Sequence, residues 1–467
     1  MAGIGFRLNR MFYRGSVSSD ILAIFYSMLV AAGPWIITAA SLFAILYFFD
    51  IEDPYLFVSL VYGFIISVIF SGLTNTFLTR RVSDHVYTRN YKKIFPETMG
   101  LLLVANSLLA LFCVLFLGIN KHEAWFIFAF TYLCVSLLSL WIVSVASLAT
   151  ENIQLYIVSY IIFGVTAALF VRFFGDGSFD KIMGFSLSVN LSMFLHLINT
   201  LRSFGTEEFI SFKWFGALKK YWENIFIGLA YNLAIWIDEF VVWRSKTYSQ
   251  EILKGFRFSS YYDLPMFISY LSIIPTVVMF VMVLETRFYR RYHEFYSIII
   301  SRSTLNDMEL AKDNMAEELR KSVELTVIIQ LFFSTLLFIA NEIGIFSRAF
   351  YVEKAILRIG IVGAMFNGFY LTITLLLLYF DFRRDVLWLN TLTFLCNLSL
   401  SIWFVNKAPY TLLPASYTIS FTIFTFVSYA ILLKKVEKII QIEFSRQKIQ
   451  IEKGVVRTLK DLRGDLR

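Results

Sequence analysis

Long apolar runs alternate with short polar stretches along the whole chain. Twelve runs stand out, at 21–49, 54–79, 99–119, 124–149, 153–174, 180–200, 221–243, 264–285, 322–342, 355–380, 386–406 and 410–433. A helix needs about 20 mostly apolar residues to cross roughly 30 Å of hydrocarbon, and these runs meet that length. The stretches 21–49 and 386–405 are nearly continuous, whereas membrane-barrel strands alternate apolar and polar over about ten residues. The pattern predicts an all-α polytopic membrane protein with about twelve transmembrane helices. The first run is too long for a signal peptide and lacks a small-residue cleavage site, so it is expected to be a span.

Counting divides the runs into two six-helix halves. The expected organisation is an amphipathic N-terminus at 1–20, a first bundle at 21–200, a linker at 201–220, a second bundle at 221–433 and a basic tail at 434–467. Within the second bundle, 286–321 is longer than a connector needs. It carries seven basic and six acidic residues and reads as a polar helix entering the ninth span, with Asn306 as its N-cap. Two readings stay open for it: extended spans, or a docking surface for a partner, with Arg287, Arg290 and Arg291 as docking candidates. The tail reads as a basic amphipathic helix on the inner leaflet or as a solvated helix.

Composition agrees with this pattern. Of 467 residues, 58% are hydrophobic and 16% charged, against about 25% charged in an average soluble domain. Single cores stop growing near about 250–300 residues, so so much apolar surface excludes a soluble enzyme. It also excludes a disordered chain and a secreted disulfide scaffold. With the N-terminus cytoplasmic, 31 of the 42 Lys and Arg residues fall in inner segments. That is the bias of the positive-inside rule, and an even span count returns the C-terminus to the cytoplasm. The net charge of +8 then reflects topology and lipid headgroups rather than nucleic-acid binding.

Candidate chemistry is sparse. Cys113, Cys134 and Cys396 lie inside predicted spans and read as packing residues. His85, His122, His196 and His293 are scattered, and a zinc site needs several converging ligands. No G-x-x-x-x-G-K-[ST] motif is present to cradle phosphates. No metal and no cofactor is expected. Charges within spans are costly and are functional candidates by default. Glu151, Arg172, Glu285, Glu342 and Asp381 sit at span ends, and His196 lies deeper. The pair Asp238 and Glu239, in YNLAIWIDEFVVWR, lies about 24 Å along the seventh span from Trp222 at about 1.5 Å per residue. Two readings remain open: an interfacial pair neutralised by Arg244, with Trp236 and Trp243 as belt aromatics, or a carboxylate facing a polar cavity. Neutral groups at Asn75, Asn106, Asn190, Asn232, Asn367 and Gln330 add hydrogen-bonding capacity suited to sugars, or to ordinary helix packing. The path candidates are therefore Asn75, Asn232, Trp236, Asp238, Glu239 and Asn367. Gly33, Pro34 and Pro275 are hinge or kink candidates, since proline removes a backbone donor.

Several strings, in this order, carry a resemblance: MAGIGF at the N-terminus, AAGPWIIT in the first span, WIDEFVVW in the seventh, then YYDLPMF and IIPTVVMFVMVLETRFY. Together they resemble the PelG family, the membrane transport component of the Pel exopolysaccharide machinery, near the multidrug/oligosaccharidyl-lipid/polysaccharide exporter superfamily. The resemblance implies export of a growing, N-acetylgalactosamine-rich polysaccharide across the cytoplasmic membrane of a bacterium, and hence a role in biofilm formation. Its implied partners are a cytosolic glycosyltransferase and membrane proteins carrying a cyclic-di-GMP receptor. It carries over no catalytic set, and a non-enzymatic transporter is expected. The alternatives are an ion-coupled drug or lipid-linked oligosaccharide antiporter or flippase, a structural scaffold for the synthase, or a membrane glycosyltransferase using Asp50, Glu52 and Asp53 of FFDIEDP. Those three acids otherwise read as hydrated loop residues before a proline-initiated helix.

Overall fold

A computed structural model describes residues 53–446 except 151, 302 and 351, with scattered positions between 27 and 45 and two short strands at Ile449–Ile451 and Val455–Arg457. Among the described residues, eleven helices are long and apolar enough to cross a membrane. They take expected runs two to twelve in order, so the all-α, about twelve-span architecture holds. Most of the first run, the N-terminal 1–20 segment and the tail at 447–448, 452–454 and 458–467 lie outside the described residues; within the tail, Ile449–Ile451 and Val455–Arg457 pair as antiparallel strands where a helix is expected. Gly33 is helical and buried, while Pro34, Asp50, Glu52 and Glu151 lie outside them.

The first five helices are α1 (Pro54–Tyr87), α2 (Ile94–Ile119), α3 (Ala124–Leu148), α4 (Ile153–Phe173) and α5 (Ser178–Phe204). Asp53 starts α1 by accepting the amides of Tyr55 and Leu56 at 3.0 and 3.1 Å, with Pro54 at the first turn. It satisfies donors that no helix can satisfy internally. Asp53 is thus a helix cap. These helices pack mainly as α4 on α5, α5 on α3 and α3 on α1 and α2.

Helix α6 (Phe215–Arg244) follows a short linker and leads into a hairpin of β1 (Gln250–Leu253) and β2 (Phe256–Phe258). The eighth span is broken. Helix α7 (Asp263–Leu271) stops, α8 (Ile274–Met279) begins with Pro275 in its first turn, and a wider π-type segment, Phe280–Phe288, leads into α9 (Tyr289–Ile300). Gln330 repairs the break: its amide donates to the Ser272 carbonyl at 2.8 Å and its oxygen accepts from Thr276 at 2.7 Å. Breaks inside membranes persist where a neighbour re-satisfies the backbone in this way. Pro275 therefore begins a helix rather than kinking a continuous one.

Helix α10 (Leu305–Glu342) runs 38 residues. Its cap is Thr304, not the expected Asn306. Thr304 and Asp307 exchange side chain–backbone bonds at both ends of a capping box, the arrangement that satisfies two free amides at once. Helices α11 (Ile345–Phe350), α12 (Lys354–Tyr379), α13 (Arg383–Lys407), α14 (Ala415–Glu437) and α15 (Ile439–Arg446) complete the chain.

Helix α6 packs against both α1 and α13 and so joins the early helices to the late ones. Where α1 and α6 cross, a Cβ on Gly72 would lie 2.6 Å from the Gly228 backbone, and one on Gly228 would lie 2.3 Å from the Gly72 carbonyl oxygen. Only glycine permits that approach, a familiar device between membrane helices. At one end of this seam the Tyr221 ring meets the cations of Arg80, Lys220 and Arg383 at 5.5, 4.8 and 5.1 Å. Its hydroxyl donates to Asp84 at 2.7 Å. The helix is kinked there, and Arg383 donates to the Lys220 carbonyl at 2.7 Å. The hairpin closes the opposite end.

Candidate functional site

Asp238 and Glu239 face inward. They are 1% and 3% exposed, and Arg244 is exposed without an ion pair to either carboxylate among the described residues. Trp236 and Trp243 are also buried. The interfacial reading with belt tryptophans is thereby corrected: α6 is enclosed by α1, α7 and α13 at this depth, so its polar residues meet protein rather than lipid headgroups.

Asp238 accepts from the Tyr262 hydroxyl through Oδ2 and from Asn397 at 3.3 Å through Oδ1. Asn397 also donates to the Ala234 carbonyl at 2.9 Å, and Ser401 donates to Asn397 at 3.2 Å, so its orientation is fixed. A third carboxylate, Asp263, joins from the start of α7. Its Oδ2 accepts from the Trp243 indole at 2.8 Å and from the Ser259 amide at 2.9 Å, while its Oδ1 has no hydrogen-bond partner. Glu239 stands beside the Tyr270 hydroxyl. Among the described residues, no ion pair reaches any of the three acids, and no His/Cys/Asp/Glu group has metal-binding geometry. Three carboxyl groups without a counter-cation are expensive to hide unless protons or a bound cation neutralise them.

A neutral seam continues from this cluster. Tyr231 donates to Asn367 at 2.9 Å, and Asn367 donates to Tyr417 at 2.9 Å. Tyr370 donates to Asn390 at 2.6 Å, and its ring lies nearly parallel to that of Tyr231. Hydroxyls, amides and ring faces are the groups that hold sugars.

The other sequence candidates are placed differently. Asn232 donates to the Val68 carbonyl at 2.6 Å and ties α6 to α1. Trp236 packs edge-on against Phe64 and Tyr270. Asn75 is half-buried on α1 beyond the Gly72–Gly228 crossing. Gly228 and Asp238 are separated by about 15 Å of helix at about 1.5 Å per residue, so Asn75 is not brought to the acids. Asn106 and Asn190 bond to Ser139 and Ser136 as packing links. Arg287, in the last turn of the π-type segment, and Arg290, just beyond it, are exposed, and Arg291 pairs with Glu294 at 2.9 Å. Glu342 pairs with Arg358, and Asp381 with Arg383.

His196 sits in a separate network. Its Nε2 is 2.8 Å from Ser159, whose own proton goes to the Tyr156 carbonyl, and its Nδ1 is 3.0 Å from Ser147. Both ring nitrogens are matched, as a neutral packing histidine requires. Asp263, Tyr262, Tyr270 and Asn397 were not singled out from sequence. Asp263 alone carried a signal, standing two residues before Pro265 at the mouth of a span.

The helix count, the broken eighth span and the enclosed polar seam define a multi-pass, all-α membrane protein. Residues 1–444 match the PelG family, described as "Putative exopolysaccharide Exporter (EPS-E)". The chain belongs to the PelG family. Solved structures with a similar fold include a MATE transporter in its bent conformation (TM-score 0.59, 11% identity, 93% of this chain and 97% of that one). An inward-facing multidrug resistance MATE transporter of the MOP superfamily aligns with TM-score 0.56 and 10% identity over 89% of this chain and 96% of that one. A MOP superfamily transporter from Pyrococcus furiosus aligns with TM-score 0.57 and 11% identity over 89% of this chain and 94% of that one. At these identities the likeness is one of fold. No curated protein matches the sequence. Family and fold support a transporter with an export role for polysaccharide or lipid-linked sugar, rather than an enzyme.

Proposed function

We propose that the chain exports a growing Pel-like, N-acetylgalactosamine-rich polysaccharide across the cytoplasmic membrane of a bacterium. A separate cytosolic glycosyltransferase makes the polymer. Membrane proteins bearing the cyclic-di-GMP receptor complete the assembly. In this reading both termini are cytoplasmic, the two six-helix halves enclose the path, and the exposed Arg287 and Arg290 with Arg291 serve partner docking.

The observation that supports this most directly is the acid–tyrosine–asparagine seam inside a chain of an exporter family. Neutral amides and tyrosines fit a sugar chain, and the path needs no nucleophile. The three unpaired carboxyl groups favour one refinement, export coupled to protons or a monovalent cation. Ion-coupled antiport of a drug or lipid-linked oligosaccharide is the alternative that shares this cluster.

The test is reconstitution in sealed vesicles with the candidate glycosyltransferase and its nucleotide sugar, followed by assay of protected lumenal polymer. Lumenal polymer that requires this chain supports export. Polymer made equally but left outside contradicts it.

A further inference from the structure

The hairpin does more than connect two spans. Phe256 at its tip is fully buried, yet its neighbours belong to the early helices: Tyr62 of α1, Phe116 of α2, and Phe126 and Phe130 of α3, with ring centroids 4.8 to 6.3 Å away. The turn before it uses Gly255 at φ +82°, packed on Asn120, a conformation natural to glycine. His122 donates to the Lys254 carbonyl at 2.8 Å. The Tyr62 hydroxyl donates to the Arg257 carbonyl at 2.5 Å and accepts the Arg257 amide at 2.9 Å. An element between spans seven and eight is therefore plugged into helices α1 to α3.

The same segment touches the acids. Ser259, directly after β2, donates its amide to Asp263. The Tyr62 ring that grips Arg257 also lies 4.5 Å from Trp243, which donates to that same Asp263 oxygen. Withdrawing Phe256 would thus loosen the seam's end and uncover Asp263.

We infer that the hairpin 250–258 is a releasable strap: docked, it seals the acid cluster from water at this end, and undocked, it opens the cluster while parting α1 from α6. This rests on the reading of the cluster as the transport site. The anchorage suits release. It comprises the inserted Phe256 ring, an edge-on contact of Phe258 with Phe57 of α1 at 4.9 Å, and a few hydrogen bonds at the end of the seam, and among the described residues no salt bridge links the hairpin to α1, α2 or α3.

The test uses the full chain in vesicles. Asn120→Cys and Lys254→Cys would be joined by a short bis-methanethiosulfonate linker, cleavable by a reductant, and Asp263 labelling by a water-soluble carbodiimide with an amine would be followed by mass spectrometry. Tethering should slow Asp263 labelling at least tenfold, and cleaving the linker should restore it. Phe256→Ala should speed labelling at least fivefold. Equal labelling with and without the tether overturns the strap, because the acids are then reached by another route. Polymer export is measured on the same vesicles. Export lost on tethering and regained on cleavage supports both readings. Labelling that follows the tether while export continues leaves the strap standing and overturns the transport role of the cluster.

Discussion

The interior of helices α3 to α5 and the interior built around α6, α7, α12 and α13 are both buried and both polar, but they balance their polarity differently. In the first, His196, Ser147, Ser159 and Asn199 are neutral, and the ring nitrogens are matched by hydroxyls. In the second, Asp238, Glu239 and Asp263 bring three carboxyl groups together with no cation among the described residues, and one carboxylate oxygen has no partner. The first network also leaves the Asn199 Oδ1 without a partner, so the difference lies in charge rather than in hydrogen-bond count, and a neutral network of this kind rigidifies a core. An unbalanced acidic one leaves room for something mobile to supply the missing charge. On the proposed reading, the contrast separates scaffold from working part.

The sharpest way to break this contrast is Asp238→Asn. It keeps the side chain's shape and one accepting oxygen, exchanges the other for an NH2 donor, and removes the titratable group. Export should fall at least tenfold at unchanged levels of folded protein, measured as lumenal polymer; undiminished export would put Asp238 in the same class as His196. Next, Gly72→Leu should disrupt the seam on which both regions depend. Overpacking costs about 1–3 kcal/mol, occasionally more, and backbone meets backbone here, so a large drop in thermal midpoint in detergent is expected. His196→Leu removes a neutral network member and strands hydroxyls at a cost of about 1–3 kcal/mol. Its midpoint should fall while export per folded molecule stays at the parent level. Smallest is Tyr221→Phe, which loses the bond to Asp84 but keeps the ring among its cations. Asp84 keeps Arg80 as a partner, so a loss of about 1.5 kcal/mol, the low end for bonds to charged groups, should appear in denaturation, with little change in export.

Much of this architecture was legible because membrane crossing imposes a length and an apolarity that a single sequence displays. Runs two to twelve emerged in place, with ends shifted where helices extend beyond the hydrocarbon, as α10 does from Leu305. Asp238 and Glu239 stood out because charge within a span is rare. Their surroundings were not legible, since Tyr262, Asp263 and Asn397 lie 24 to 159 residues away from Asp238 and are joined to it only by helix packing. Gln330 looked like generic packing polarity; its task at the Pro275 break depends on which helix faces that break. The hairpin was not legible because the 20 residues between the expected spans 221–243 and 264–285 carry no sequence signal of where they dock, and only the fold shows where Phe256 is buried.

One measurement tests the central claim most directly: lumenal polymer in matched sealed vesicles carrying the parent chain, Asp238→Asn or His196→Leu, each normalised to folded protein. The account predicts loss with Asp238→Asn and parent-level export with His196→Leu. Parent-level export in both, or equal loss in both, would contradict it.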